Sequence, residues 1–224
     1  KALSLKPDFE IARAKMIFQQ AHICDWDGIE SNRDLISKLG IHKQEVMPFS
    51  LLSLEDNPES HKKRSKKLVK KRYLQKPILF NSKITKSDKL IRVGYFSSDF
   101  KEHPVAYLIA GIIEQHNRGD FEIFGYAIKG TKKANLNTRL SQAFDVFKDI
   151  SHINDQEAAL LARKDAIDIA IDLNGFTQNS RTGIFAYRAA PIQINYLGYP
   201  GTMGADFIDY IIAYKILIPE GSEK

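Results

Sequence analysis

From Leu90 onward, short apolar runs alternate with amphipathic stretches. Period-two or continuous apolar segments of strand length predict strands at Ile91 to Phe96, Phe121 to Ile128, Asp168 to Leu173, Ile192 to Leu197 and Tyr210 to Ala213. Helical spacing falls between them, at Pro104 to His116, Asn137 to Ala143, Asp155 to Lys164 and Arg181 to Ala186. Alternation at this spacing implies right-handed crossovers and a mostly parallel sheet covered on both faces, so residues 90–224 read as an α/β, Rossmann-like domain. Residues 1–80 read as an all-helical segment. There Ala14, Ile17, Phe18 and Ala21 keep i, i+3, i+4, i+7 spacing after Pro7 and a cap at Asp8, and a second helix is expected from Ile29 to Leu39, closed by Gly40. The short polar stretch 81–89, after Pro77, is the expected linker.

Composition narrows the class. At 224 residues, with 43% hydrophobic and 27% charged positions, the chain has enough apolar material for a core and is neither disordered nor collagen-like. Its one cysteine, Cys24, excludes an internal disulfide, and a reducing, cytoplasmic setting is expected. The longest apolar run, Phe207 to Ile218, is broken by Asp209 and Lys215, so no membrane span is expected. The first residue is Lys1 and no targeting signal is visible, so the sequence reads as part of a longer chain. The net charge of +6 is local: nine cations lie between His61 and Lys76 with no acid among them, and 6 minus 9 leaves the remainder at minus 3. A solvated helix face or linker is the plain reading of that run. Nucleic-acid binding through Lys62 to Lys76 is the alternative, disfavoured because Tyr73 alone interleaves the cations.

In parallel sheets ligands collect beyond the carboxyl ends of the strands, which directs attention to three loops. These are Ser97 to Pro104, Asn174-Gly175-Phe176-Thr177, and Gly198 to Gly204. None carries GxGxxG, GxxxxGK[ST] or GxSxG, so dinucleotide, P-loop and serine-hydrolase chemistry lack their markers. Pro104 suits the first position of a helix and puts His103 at the N-cap, where the positive end of the helix disfavours an imidazolium. His103 is thereby a general base, a ligand to a sugar hydroxyl, or simply a cap. The glycine-rich third loop is a ligand shelf or a tight turn, and Asn174 and Thr177 offer hydrogen bonds to sugar hydroxyls or belong to an Asn-Gly turn. Asp25-Trp26-Asp27 matches the DxD pattern of metal-dependent sugar-nucleotide enzymes but sits in the helical half, and His22, His42, His61, His116 and His152 lack metal-site spacing.

Taken together, Arg92 through Phe100, His103-Pro104, Ala190-Pro191-Ile192-Gln193 and Leu197-Gly198-Tyr199-Pro200-Gly201-Thr202 resemble the O-linked N-acetylglucosamine transferase family, including its SPINDLY-like bacterial and plant members. Lys1 to Phe9 is similar to the end of a tetratricopeptide repeat. The resemblance implies the first lobe of a GT-B-type glycosyltransferase with two Rossmann-like lobes. Such an enzyme would be inverting and metal-free, moving a sugar, N-acetylglucosamine in the first place, from a UDP-sugar to Ser/Thr hydroxyls of a protein or peptide acceptor. It implies His103 as the catalytic residue, as base or as donor-sugar contact. Asp99, Asn174, Gly175, Thr177, Gly198, Tyr199, Pro200, Gly201 and Thr202 become substrate-binding. Some members have a histidine at the place of Asp168, so the roles of Asp165 and Asp168 stay open. The diphosphate would be held by a second lobe expected beyond Lys224, and the isolated chain is expected to be nearly inactive. A non-catalytic protein-binding module remains the other reading.

Overall fold

The computed structural model describes residues 1–78, 90–130 and 138–221; the expected linker at 81–89, and Asn137, lie outside the described residues. The described residues fall into two compact units, Lys1–Leu74 with Gly201–Ala205, and Gln75–Pro200 with Asp206–Lys224.

The first unit is helical: α1 (Ala2–Leu5), α2 (Glu10–His22), α3 (Trp26–Glu30), α4 (Arg33–Ile36), a 3-10 turn (Pro48–Leu51) and α5 (Pro58–Arg72). Ala14, Ile17, Ile29, Ile36, Leu39, Val46 and Leu51 form its core. Two expectations change. The cap at Asp8 is not made: α2 begins at Glu10 after Phe9, and Asp8 pairs instead with Lys43 at 3.2 Å. The helix expected from Ile29 to Leu39 breaks into α3 and α4, because Asn32 is turned inward, where its amide donates to the Gly28 carbonyl and accepts from Arg13. The basic run is a helix, started by the Asn57 side chain and Pro58 at the first turn. It buries Arg64, Ser65 and Leu68 and turns Lys63, Lys66, Lys70 and Lys71 to solvent. Arg64 is fully buried, paired with Glu55 at 2.5 Å and donating to the Leu39 and Ile36 carbonyls.

The second unit holds β1 (Ile91–Ser97), α6 (Pro104–Glu114), β2 (Phe121–Ala127), α7 (Thr138–Ala143), β3 (Val146–Asp149), α8 (Asp155–Lys164), β4 (Ile169–Asp172), α9 (Gly183–Ala186), β5 (Ile192–Tyr196) and β6 (Tyr210–Ile212). All strand pairs are parallel, in the order β3-β2-β1-β4-β5-β6. The chain therefore runs outward through β2 and β3, then returns past β1 to continue through β4, β5 and β6. The α/β, Rossmann-like expectation holds, with β3 as the one strand that the sequence pattern did not predict. Strand alternation divides the core. Val93, Tyr95, Ile123 and Ile171 pack with Ala106, Ile109 and Ile113 of α6, while Phe96, Tyr126 and Ala170 pack with Ala158 and Ala162 of α8 and Ile184 and Phe185 of α9. Helices on both faces leave the strand ends free for loops, and the reversal of strand order falls between β1 and β4. That is where such sheets open a crevice at their carboxyl ends.

Candidate active site

β1 ends in Ser97-Ser98-Asp99 and β4 ends in Asp172, followed by Leu173-Asn174-Gly175. Because β1 and β4 are neighbours, with Phe96 beside Asp172, the two loops start side by side. They are joined through one side chain. Asn174, 1% exposed, accepts from the Ser98 backbone N–H at 2.8 Å. Its amide nitrogen lies 2.9 Å from Ser98 Oγ, 3.0 Å from Asp99 Oδ2 and 3.2 Å from Thr177 Oγ1. A turn needs no such contacts across 75 residues of sequence. The Asn-Gly pair is nevertheless a turn as well, since Asp172 Oδ1 accepts both the Asn174 and the Gly175 N–H, at 2.9 and 3.0 Å. Gly175 takes φ +56°, and a Cβ there would stand 2.4 Å from Tyr199 Cβ. Gly198 has no such freedom either, for a Cβ on it would lie 1.9 Å from the Leu173 carbonyl oxygen. The glycines thus let the loops after β4 and β5 touch backbone to side chain, with Tyr199 buried edge-on against Phe176.

His103 is the N-cap of α6, with Pro104 in the first turn. Its Nδ1 accepts the Val105 N–H at 3.3 Å, a long bond. A neutral imidazole that accepts at Nδ1 carries its proton at Nε2. That nitrogen lies 4.0 Å from Asp99 Oδ1, and the ring side chain is 37% exposed. The ring is therefore open to a ligand and is not sealed among packed side chains. Lys101 Nζ reaches the same Asp99 oxygen, at 3.4 Å.

The structure brings together His103, Asp99, Asn174, Gly175, Thr177, Gly198 and Tyr199, with Pro200 next in the chain. Gly201 and Thr202 fall in the helical unit and are not part of this group of side chains. Asp165 and Asp168 precede β4 and so mark its amino end. Asp168 accepts from the Arg92 N–H, and Asp165 from Tyr126 Oη and Lys148 Nζ. Asp25 is occupied as the cap of α3, accepting from Gly28 N–H and from Gln20. Among the described residues no group of three or more His, Cys, Asp or Glu could hold a metal ion, and no helix is long and apolar enough to cross a membrane.

Sequence reasoning placed Ser98 in a candidate loop without giving it a role, and passed over the buried Asp172 and Asn195. Burial pushes the Asp172 carboxyl up to about 6, against the Asn174 and Gly175 N–H groups and the Asn195 amide, which lower it. The only signal was an aspartate interrupting the apolar run Ile169-Ala170-Ile171.

A family model described as Glycosyl transferase family 41 matches residues 35–223. The chain belongs to this family. It is 38% identical over 131 residues to the probable UDP-N-acetylglucosamine–peptide N-acetylglucosaminyltransferase SEC of Arabidopsis thaliana, covering 58% of this chain and 13% of that protein. The UDP-N-acetylglucosamine–peptide N-acetylglucosaminyltransferase of Caenorhabditis elegans is 42% identical over 131 residues, covering 58% and 11%. The probable SPINDLY transferase of Oryza sativa subsp. japonica is 31% identical over 166 residues, covering 72% and 17%. A mutant of the Thermobaculum terrenum O-GlcNAc transferase shares the fold, with a TM-score of 0.65 and 26% identity over 99% of this chain and 37% of that one. The family 41 chain thus spans less than a fifth of the length of these three curated relatives. The family that the loop motifs resemble is the one to which the chain belongs.

Proposed function

We propose that this family 41 chain carries the acceptor-side half of an inverting glycosyltransferase site, which moves N-acetylglucosamine from a UDP-sugar to Ser/Thr hydroxyls of proteins without a metal ion. The observation that carries the reading is the Asn174 side chain. It ties the loops after β1 and β4 together at the reversal of strand order and leaves His103 and Asp99 at its rim. The names of the relatives support donor and acceptor class.

Attack by a hydroxyl on an anomeric carbon from the face opposite the leaving diphosphate requires the nucleophile to be oriented and its proton to leave. Neutral polar groups such as the Asn174 amide and Thr177 hydroxyl suit sugar and acceptor hydroxyls. Between the two roles implied for His103, its capping geometry favours contact over proton abstraction. With Nδ1 engaged by Val105, the ring offers an N–H at Nε2, and only by giving up that cap could it present a lone pair there. The diphosphate is left to residues outside this group.

The test is transfer of labelled sugar from UDP-N-acetylglucosamine to a Ser-containing acceptor peptide by the protein at its full encoded length, with EDTA present. Transfer that falls at least a hundredfold in Asn174→Ala is expected. Absence of transfer from that donor and from UDP-glucose and GDP-fucose alike would overturn the reading, and a strict requirement for added metal would overturn the metal-free part of it.

A further inference from the structure

Asp172 is the last residue of β4, 2% exposed, and by strand alternation its side chain takes the face of Ala170, toward α8 and α9. Its neighbours in register are Phe96 on β1 and Asn195 on β5, so no strand brings it a cation. Its two oxygens are in different situations. Oδ1 accepts two backbone N–H groups and so closes the Asn174-Gly175 turn, whereas Oδ2 has no hydrogen-bond partner among the described residues. Beside it Asn195, 1% exposed, donates weakly to the Asp172 carbonyl at 3.4 Å, and its own Oδ1 has no partner among the described residues. Among the described residues no ion pair reaches Asp172 from the surrounding elements. Asp155 of α8 is paired with Arg181, which precedes α9, at 2.7 Å, and Asp99 on the loop after β1 has Lys101 and His103 about it. None of them forms an ion pair with Asp172.

This arrangement makes the charge on Asp172 a lever on the site above it. We propose that Asp172 is a positioning residue whose carboxylate pins the Asn174-Gly175 turn, and that protonation of this one buried carboxyl loosens Asn174 and uncouples the loops after β1 and β4. The inference rests on the proposed function only for what the uncoupling does to sugar transfer. A carboxylate is the stronger acceptor for two converging N–H groups, and a proton on it weakens both bonds together. Asn174 then loses the backbone anchor that aims its amide at Ser98, Asp99 and Thr177. Burial holds the carboxyl near 6, which places this change within reach of mildly acidic conditions. An Asn at the same place is the neutral mimic of the protonated carboxyl: it accepts both N–H groups through Oδ1, but without the charge that strengthens them.

The experiment compares wild type, D172N and D172A at full encoded length by hydrogen exchange of the Ser98 and Gly175 amides, corrected for intrinsic rate, and by transfer rate from pH 5 to 8. Wild-type protection of both amides is expected to drop at least fivefold between pH 7.5 and 5, while D172N already has the lowered protection at pH 7.5 and stays within twofold of it across that range. D172A loses protection at both pH values. In transfer, D172N is expected to run at least threefold below wild type at pH 7.5 and to keep that lowered rate at pH 5.5, where wild type declines toward it. Should D172A fail to fold, D172N against wild type decides alone. Wild-type protection that does not change with pH, an acid decline that is the same in D172N, or D172N protection equal to wild type at pH 7.5 overturns the proposal. If exchange behaves as expected but no variant transfers sugar, the functional reading fails and the lever stands; if sugar is transferred and D172N matches wild type in everything, the reverse holds.

Discussion

Replacing His103 separates two roles that one ring holds in this structure. As a cap, the ring satisfies one N–H of α6 through a 3.3 Å bond on a partly exposed side chain, so its loss should cost about 1 kcal/mol, within the usual range for N-caps. In a unit of this size that is roughly 2 to 4 °C in Tm. As a group that touches the reacting atoms, its loss should lower kcat by about 10² to 10⁴. At about 1.4 kcal/mol per tenfold that is roughly 3 to 5 kcal/mol, several times the cap. Thermal denaturation and transfer kinetics on H103A, H103S and H103N resolve the two. Serine and asparagine both cap well and should return Tm to within a degree of wild type. Serine should not return activity. Asparagine, which can cap with Oδ1 and still donate from Nδ2, should recover about tenfold over serine if the ring works as a donor, and nothing if it works as a base. Activity of H103S within a few-fold of wild type would refute any role beyond the cap.

Other expectations follow from single groups. Because Asp172 is raised from 3.8 to about 6 on folding, its favourable contribution is present below about 3.8 and is lost as pH rises through about 6. The ionised carboxyl therefore costs up to about 3 kcal/mol at neutral pH. D172N should recover up to that amount in urea denaturation at pH 7.5 and much less at pH 4; equal gains at both pH values would contradict the burial argument. His116, whose Nε2 meets Tyr95 Oη at 2.8 Å, is lowered, first by burial and then by Arg118. A His depressed in the folded state keeps its contribution above its ordinary value of 6.5 and loses it as pH falls below that. H116Q should accordingly flatten the stability curve between pH 5 and 7, and a curve that keeps its slope would assign the titration elsewhere. Glycines give opposite signs: G198A, whose Cβ meets the Leu173 carbonyl at 1.9 Å, should cost about 3 kcal/mol or more. G111A, on α6 with nothing within 4 Å, should stabilise by about 0.5 to 1 kcal/mol in the same denaturation assay.

What could be read along the chain was what depends on near neighbours. Pro104 announces its helix and makes His103 the cap, because both effects belong to one turn of backbone. The apolar runs announce five strands, since burial on two faces leaves a continuous signal. β3 escaped because Val146-Phe147-Lys148-Asp149 is short, lies at the sheet edge and is half polar, so only its pairing with Phe124 to Ala127 makes it a strand. α5 carried its start signal in Asn57-Pro58, but the cations mask a buried stripe that includes Arg64, whose partners Ile36, Leu39 and Glu55 are distant. The candidate site was visible as loops and invisible as a network. Asn174 was legible as a turn residue, which it is; that its amide also reaches Ser98 follows from β1 lying beside β4, a fact of topology.

The two ends of the sheet argue for which of them works. At the amino end the polar groups are matched: Asp165 receives Tyr126 and Lys148, Arg92 reaches Glu122 and the Asp165 carbonyl, and Asp168 receives the Arg92 N–H. Such closed pairing is what a fold needs to end its strands at low cost. At the carboxyl end of β4 and β5 the turn is already closed by Asp172 Oδ1 alone, yet Asp172 Oδ2 and Asn195 Oδ1 lie buried without partners among the described residues. Each such atom costs about 1 to 3 kcal/mol relative to a satisfied or apolar replacement. Stability alone would favour a neutral residue at 172 and an apolar one at 195. A polar cluster that exceeds what its turn requires is instead what a site assembled around a carboxylate needs, because the same groups that burden the fold hold Asn174 where two loops meet.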